Sequence, residues 1–498
     1  MESSSLETMI PDGGWGWVVV GAVALINMTN QSILSVFGLL FGAQLKAMDH
    51  GTFTAALITN LNSLALNFSG LFIGPIIKSF KPRNVAAIGC VLVSFGMFLC
   101  TFATKGWHFI IGYSIFVGLG LGLISPSTFI AINSYFTTKR GRAVGVSLAG
   151  AGLGQIFIPH LVRIFLDHYG FQSAVLAMSL LSLTGLFGAL LLKPLKSPPK
   201  THNNHQHIAP LLETEDKKCD NLVNVDIHRA GNKVCNDSVA ITQRRQYTAT
   251  HRKLCAKIWQ RLAQAMDLEL LRDPVFWNII LGMALVYTAT INFTMLYPNF
   301  LQYTIGLSSS STASCMSVVA GADIICRLIL PCITDKLRIP YRLVFLLGTI
   351  GLLISRAALA ETIDFTSIIV MSVFTGMTKS ATVLNNNLTI SDHCHPEKLP
   401  GGLGLNMLSK GILVITVGQL LGWIRDYTKS YVLCLHAQNM LLLLVILTWT
   451  PEMYYGFWRQ RQANVPNQWR AETVISTTEP VEMVAGSTAE ERAKMNPC

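Results

Sequence analysis

Long apolar runs alternate with short polar loops along most of the 498-residue chain. Most runs reach or exceed the ~20 residues that a helix needs to cross the hydrocarbon of a bilayer. The runs cover residues 16–41, 54–77, 84–103, 108–131, 143–166, 173–193, 274–298, 312–333, 341–360, 364–388, 401–423 and 430–449. A polar middle section separates the first six runs from the last six. This pattern predicts an all-α polytopic membrane protein with twelve transmembrane helices in two six-helix bundles.

The polar stretches divide the chain into predicted segments. The middle stretch is rich in proline and polar residues, so it should be partly disordered. Near its end, apolar residues recur every four positions opposite basic ones, which predicts a basic amphipathic helix near 251–271 on the membrane surface. The predicted segments are a cytoplasmic N-terminus (1–15), an N-terminal bundle (16–193), a cytoplasmic linker (194–273), a C-terminal bundle (274–449) and a cytoplasmic tail (450–498).

Composition and charge narrow the function classes. Hydrophobic residues make up 51% of the chain and charged residues only 13%, about half the charged fraction of soluble domains. The net charge of +11 is typical of loops that face anionic lipid, and no interleaving of basic with aromatic residues indicates nucleic acid. The 11 cysteines lack metal-ligand spacing. Neither a metal nor another cofactor is expected. The sequence also shows no array of serine, histidine and aspartate that would predict an enzyme.

Basic residues indicate how the chain is oriented. They cluster in alternate loops, at 78–83, 139–142 and 336–342, and such loops remain in the cytoplasm. An even number of spans then places both termini in the cytoplasm. The first apolar run is too long for a cleavable signal peptide, so we expect it to stay in the membrane. The plasma membrane is the expected location, because the sequence contains no recognised retention signal.

An acid and a base interrupt the eighth apolar run. Asp323 and Arg327 are four residues apart, so on a helix they share a face and can pair. An ionised side chain in the middle of a membrane helix costs at least about 2.5–3.5 kcal/mol, so it should face a partner or a cavity. One interpretation is a pair that only joins helices. The other is a site in which Arg327 holds a small anion and Asp323 titrates beside it.

Other polar residues lie within the predicted helices. Lys379 in the tenth run either snorkels to the inner face or points into a cavity. Lys410 and Arg356 lie nearer the ends of their runs, and we expect both to snorkel to the membrane surface. Asn292 in the seventh run either lines a substrate route or makes a hydrogen bond between helices.

Two motifs resemble a known family. Pro11-Asp-Gly-Gly-Trp-Gly-Trp17 precedes the first run, and Tyr135-Phe-Thr-Thr-Lys-Arg-Gly-Arg-Ala-Val-Gly-Val-Ser-Leu-Ala-Gly-Ala-Gly-Leu-Gly154 enters the fifth. Both resemble the signatures of the monocarboxylate transporter family, whose fold is that of the major facilitator superfamily. The two halves of six runs, and the similar charged loops after the second and eighth runs, agree with this resemblance. It covers nearly the whole chain except the linker and the tail.

The resemblance implies transport of small carboxylates, coupled to a proton in the best-known members. In those members the arginine of the eighth span binds the carboxylate, its aspartate handles the proton, and a lysine in the first span adds a second cation. Asp323 and Arg327 match the pair, but Gln31, beside Ser32, occupies or adjoins the lysine position. The alternatives are therefore a facilitative carrier of amino-acid-like or zwitterionic substrates and a non-transporting, receptor-like member. Some relatives also travel with a single-span immunoglobulin-like accessory protein.

Overall fold

The computed structural model describes residues 12–48, 52–193 and 266–463, which form helices joined by short loops, without a β-strand. The helices of the N-terminal half are α1 (Trp15–Asn30), α2 (Phe37–Ala47), α3 (Thr52–Phe68), α4 (Gly70–Ser79), α5 (Pro82–Thr101), α6 (Gly106–Phe109), α7 (Gly118–Asn133) and α8 (Arg140–Leu191). A short 3-10 helix, Gln31–Leu34, joins α1 to α2, and a π-helical segment, Ile110–Val117, joins α6 to α7.

The C-terminal half begins with a short 3-10 helix, Leu268–Arg272. Its further helices are α9 (Pro274–Asn299), α10 (Ser309–Leu337), α11 (Tyr341–Glu361), α12 (Phe365–His393), α13 (Leu399–Thr428) and α14 (Tyr431–Ala463). A π-helical segment, Phe300–Thr304, follows α9. Most of the amphipathic helix predicted near 251–271 lies outside the described residues. The described chain up to Ile446 belongs to one compact unit, and Leu447 begins a second.

The described helices agree with the predicted twelve membrane spans. Ten helical stretches of the described residues are long and apolar enough to cross a membrane, and the pair α3 and α4, bent by 41°, brings the number to 11. One stretch, α8, has 52 residues and would be about 78 Å long as a straight helix, more than twice the hydrocarbon thickness. Gly170 interrupts α8 with a non-helical φ of 79°. The helix therefore contains two spans.

The start of several helices follows from local sequence. Asp273 caps α9 by accepting a hydrogen bond from the N–H of Val275 (2.9 Å), and Pro274 occupies the first helical position, where no N–H is needed. Asp364 caps α12 in the same way through the N–H of Ser367 (3.1 Å). Asp273 directly precedes the predicted run 274–298, and Asp364 is the first residue of the predicted run 364–388.

Basic residues lie together at one end of the bundle, which we call the basic end and define by Lys78, Arg140 and Arg142. The two halves of the chain are in contact there. Lys78 Nζ lies 2.5 Å from the Asp267 carboxylate, and the backbone N–H of Arg142 donates to Asp335 Oδ2 (2.9 Å). Because each contact joins an N-terminal residue to a C-terminal one, the structure is a conformation closed at its basic end.

The two signature motifs meet at this basic end. The Asp12 carboxylate accepts hydrogen bonds from the hydroxyl of Thr137 (2.7 Å) and from the hydroxyl of Thr138 (2.9 Å), and the backbone N–H of Thr137 also donates to it (2.7 Å). Partial burial acts to raise the pKa of Asp12, but the hydrogen bonds from the two threonines outweigh it and lower the pKa to about 2. The first signature therefore fastens the start of α1 to the loop before α8.

Candidate functional site

The acid and base of the eighth apolar run form a buried ion pair on α10. Arg327 Nε donates to Asp323 Oδ1 (2.8 Å) and Arg327 Nη2 donates to Asp323 Oδ2 (2.7 Å). Only 5% of Asp323 and 7% of Arg327 is exposed. Two parallel N–H to oxygen bonds are the strongest geometry available to these groups, and the spacing of one helical turn produces it. The predicted pair is therefore present, as a bidentate contact.

Lys379 of α12 joins this pair from a second helix. Its Nζ lies 3.6 Å from Asp323 Oδ2, and 27% of its side chain is exposed. The two helices approach closely because Gly376 has no side chain: a Cβ there would lie 2.9 Å from the Cβ of Ala322. Two cations thus share one carboxylate, and Lys379 is the more accessible of them. We call Asp323, Arg327 and Lys379 the charged triad.

Arg327 also contacts the N-terminal half. Its Nη1 donates to the backbone carbonyl of Leu148 on α8 (3.1 Å), within the second signature motif. A guanidinium has five N–H donors, and the described contacts use three of them. Two of its N–H groups therefore take part in none of these described contacts. Sequence reasoning missed Leu148, because a backbone acceptor leaves no signal in residue type.

The other predicted site residues lie in separate contacts. Ser32 Oγ donates to the carbonyl of Ala151 (3.4 Å), and the Asn292 amide donates within its own helix to the carbonyl of Thr288 (2.9 Å). Gln31 is half-buried in the 3-10 helix between α1 and α2. Among the described residues, no hydrogen bond or ion pair joins these three side chains to the charged triad.

Two cations that were expected to snorkel are instead buried. Arg356 is fully buried (0% exposed) and points from α11 towards α9, where its guanidinium lies 4.3 Å from the ring centroid of Phe293. Lys410 is also buried, with its Nζ 5.2 Å from the ring centroid of Tyr287. Both predictions were wrong. Depth along a helix does not reveal which face packs against a neighbour, and these two side chains lie on inward faces.

Comparisons with known proteins identify the family. The model of the Major Facilitator Superfamily matches residues 20–418. Monocarboxylate transporter 13 of Bos taurus is 30% identical over 37% of this chain and 43% of its own length, so the chain matches less than half of that relative. Monocarboxylate transporter 14 of Mus musculus is 23% identical over 88% of this chain and 90% of its own length.

A solved structure shows the same fold. The MFS proton:xylose symporter XylE, bound to 6-bromo-6-deoxy-D-glucose, superposes with a TM-score of 0.59 at 13% identity, over 87% of this chain and 94% of that one. The predicted fold class is confirmed: an all-α polytopic membrane protein with the major facilitator fold. The chain therefore belongs to the Major Facilitator Superfamily and is related to the monocarboxylate transporters.

Proposed function

We propose that the chain is a secondary transporter of small monocarboxylates or related carboxylate-bearing metabolites that works by alternating access. The observation that carries this proposal is the charged triad, in which buried Arg327 and half-buried Lys379 share the single carboxylate of Asp323. Ionisable residues inside a membrane protein mark substrate or ion routes by default. A triad with one net positive charge favours an anion, and a planar guanidinium with two unused N–H groups suits a carboxylate.

Proton coupling would use Asp323. Protonation of its carboxylate removes the charge that holds both cations, so Arg327 and Lys379 become available to the substrate together. Loss of the proton restores the ion pairs and favours release. This cycle gives uptake that rises as the external pH falls, and Asp323→Asn should remove that pH dependence.

The alternating-access part of the proposal rests on contacts between the halves. Arg327 binds the Leu148 carbonyl of the N-terminal half, so a carboxylate that draws the guanidinium away also weakens the contact between α8 and α10. The loops at the basic end carry the residues that the positive-inside rule assigns to the cytoplasm. We therefore propose that both termini are cytoplasmic, that this conformation is closed towards the cytoplasm, and that the protein works in the plasma membrane. We also propose a single-span immunoglobulin-like accessory partner, and only the family resemblance supports it.

A facilitative carrier of zwitterions is the second candidate. The observation in its favour is Gln31, a half-buried neutral amide at or beside the position of the family lysine. An amide can hydrogen-bond either end of an amino acid but adds no charge. Lys379 favours the anion carrier instead, because it supplies the missing cation from another helix.

The test is uptake of labelled lactate, pyruvate, tyrosine and creatine by cells that express the chain, at about pH 6 and pH 7.5. The variants are Arg327→Gln and, as a matched control, Arg163→Gln. Arg163 also pairs with an acid one turn away, Asp167 at 3.6 Å, but its side chain is 76% exposed. We expect acid-stimulated lactate or pyruvate uptake that Arg327→Gln abolishes and Arg163→Gln retains at equal surface expression.

Three other outcomes decide between the candidates. Uptake of tyrosine or creatine alone, independent of pH, supports the zwitterion carrier. Undiminished lactate uptake by Arg327→Gln contradicts the site. Uptake of none of the four labelled compounds favours the hypothesis of a non-transporting, receptor-like protein.

A further inference from the structure

The segment just before α9 lies at the basic end of the bundle. It comprises residues 266–273, which we call the strap, and it includes the short 3-10 helix Leu268–Arg272. The strap forms the end of the predicted linker and continues directly into α9. Trp277 of α9 donates its Nε1–H back to the carbonyl of Leu271 (2.6 Å). The strap is therefore attached to the first helix of the C-terminal half.

Two polar contacts join the strap to other helices of the same half. Lys398, just before α13, places its Nζ 2.8 Å from the carboxylate of Glu269. The Nε2 atom of His393, the last residue of α12, lies 2.7 Å from Asp273 Oδ2. Because the strap is held by α9, α12 and the start of α13, it should move with the C-terminal half.

One apolar side chain of the strap lies between the two halves. Met266 is buried, with only 8% of the residue exposed. It lines an apolar groove together with Gly70 and Gly74 of α4 and Gly404 and Leu405 of α13. Since α4 belongs to the N-terminal half and α13 to the C-terminal half, separation of the two helices would expose Met266 to water. Such exposure of an apolar side chain is unfavourable.

The next residue of the strap makes an ionic contact with the same helix of the N-terminal half. Asp267 is 9% exposed, and its carboxylate lies 2.5 Å from Nζ of Lys78 on α4. Its backbone adopts a left-handed φ of 52°, a conformation that aspartate tolerates better than most residues. Two consecutive residues of the strap thus contact α4, Met266 through apolar packing and Asp267 through charge.

We propose that the strap is a latch that keeps the basic end closed and must release α4 whenever that end opens. Opening would break the contacts of Met266 and Asp267 with the N-terminal half. It would leave the contact of Glu269 with Lys398 intact, because both residues belong to the C-terminal half. The inference goes beyond the proposed function and rests on it only for the part that opening plays in a transport cycle.

The experiment measures opening at a distance from the strap. Thr334 is buried on α10, with 4% of the residue exposed. It lies between Pro331 and Asp335, which both approach α8, at Gly145 and at Gly141 respectively. In Thr334→Cys, a thiol of similar size should react with a maleimide only when α8 and α10 separate. A faster reaction there reports opening of the basic end and not the local loss of a strap side chain.

The modification rate at residue 334 is measured by mass spectrometry in the purified full-length Thr334→Cys protein. It is measured again after adding Met266→Ala, Met266→Leu, Asp267→Asn or Glu269→Gln. We expect Met266→Ala to raise the rate about fivefold or more and Asp267→Asn to raise it about two- to fivefold. Met266→Leu conserves volume and Glu269→Gln removes a contact within one half, so both should stay within about twofold of the parent rate.

Native Cys90 distinguishes opening from unfolding. It is fully buried, and its Sγ contacts the Asn30 amide within the N-terminal half, so it should react only in unfolded protein. If Met266→Ala raises modification of both cysteines, that variant has unfolded and Asp267→Asn decides the question.

Three results would overturn the inference. They are an unchanged rate at residue 334 in Asp267→Asn, an unchanged rate in Met266→Ala, and an equal rise in Glu269→Gln. The measurement requires no transport, so its outcome is independent of the uptake test of the proposed function.

Discussion

Gly70→Ala places a methyl group where α4 and α13 are already in contact. A Cβ on Gly70 would lie 2.6 Å from the carbonyl oxygen of Gly404 and 2.6 Å from the Cβ of Met407. Neither atom is the end of a flexible side chain, so the helices must separate. Overpacking of this kind costs about 1–3 kcal/mol. Because the cost falls on the conformation closed at the basic end, the equilibrium should shift about 5- to 150-fold towards opening there.

A cysteine reporter measures this shift. Leu405 is buried beside the same contact, between α4 and α13. In Leu405→Cys the new thiol should react with a maleimide only when the basic end opens. Adding Gly70→Ala should raise the modification rate about 5- to 150-fold. The signal of the native cysteines, measured in the chain without Leu405→Cys, is subtracted first.

A matched glycine change provides the control. Gly21 lies on an exposed face of α1, and a Cβ there would meet no atom within 4 Å. Gly21→Ala should therefore leave the modification rate unchanged while slightly favouring the helix. Equal rates in the Gly70→Ala and Gly21→Ala proteins would refute the claim that close packing at Gly70 holds the basic end closed.

Three further predictions concern charged residues. Lys78→Glu should raise the modification rate of the same cysteine reporter, because Lys78 and Asp267 form an ion pair between the halves. Adding Asp267→Lys should restore the pair with reversed charges and lower the rate again. A rate that stays high in the double variant contradicts a role of this ion pair in closing the basic end. Asp12 has a folded-state pKa of about 2, below its ordinary 3.8, so its stabilising contribution is present above pH 3.8 and lost as the pH falls towards 2. Asp12→Asn should therefore unfold at a lower temperature than the unmodified chain at neutral pH, and it should lack the part of the acid sensitivity that Asp12 causes. Equal unfolding temperatures of the two proteins, both at neutral pH and below pH 3.8, would contradict the stabilising role of Asp12. Lys379→Gln should lower lactate uptake about tenfold, and Lys379→Arg should retain more of it; full uptake by the glutamine variant removes Lys379 from the site.

The sequence predicts the fold well because membrane spans follow from length and hydrophobicity alone. The bidentate pair of Asp323 and Arg327 is equally local, since a spacing of four residues fixes it within one helix. The bend between α3 and α4 and the break of the first span at Gln31–Leu34 are less visible. Neither is marked by proline or by a charge, and both depend on how neighbouring helices pack.

Contacts between helices are what the sequence predicts least. Lys379 had two open interpretations, and its distance from Asp323 of 3.6 Å depends on how closely α12 approaches α10 at Gly376. Arg356 was expected to reach the membrane surface, yet it lies over Phe293 in the interior. The position of a residue along a helix gives its depth, whereas the direction of its side chain depends on the relative rotation of two helices.

Ligand-dependent thermal unfolding of the purified full-length protein tests the central claim, that Arg327 binds the substrate carboxylate. Lactate and malate are each added to the unmodified chain, to Arg327→Gln and to the exposed-pair control Arg163→Gln. A ligand that binds only the folded state raises the unfolding temperature. We predict a rise for the unmodified chain and for Arg163→Gln, and none for Arg327→Gln. An equal rise in Arg327→Gln, or none in the unmodified chain with either acid, would contradict the account.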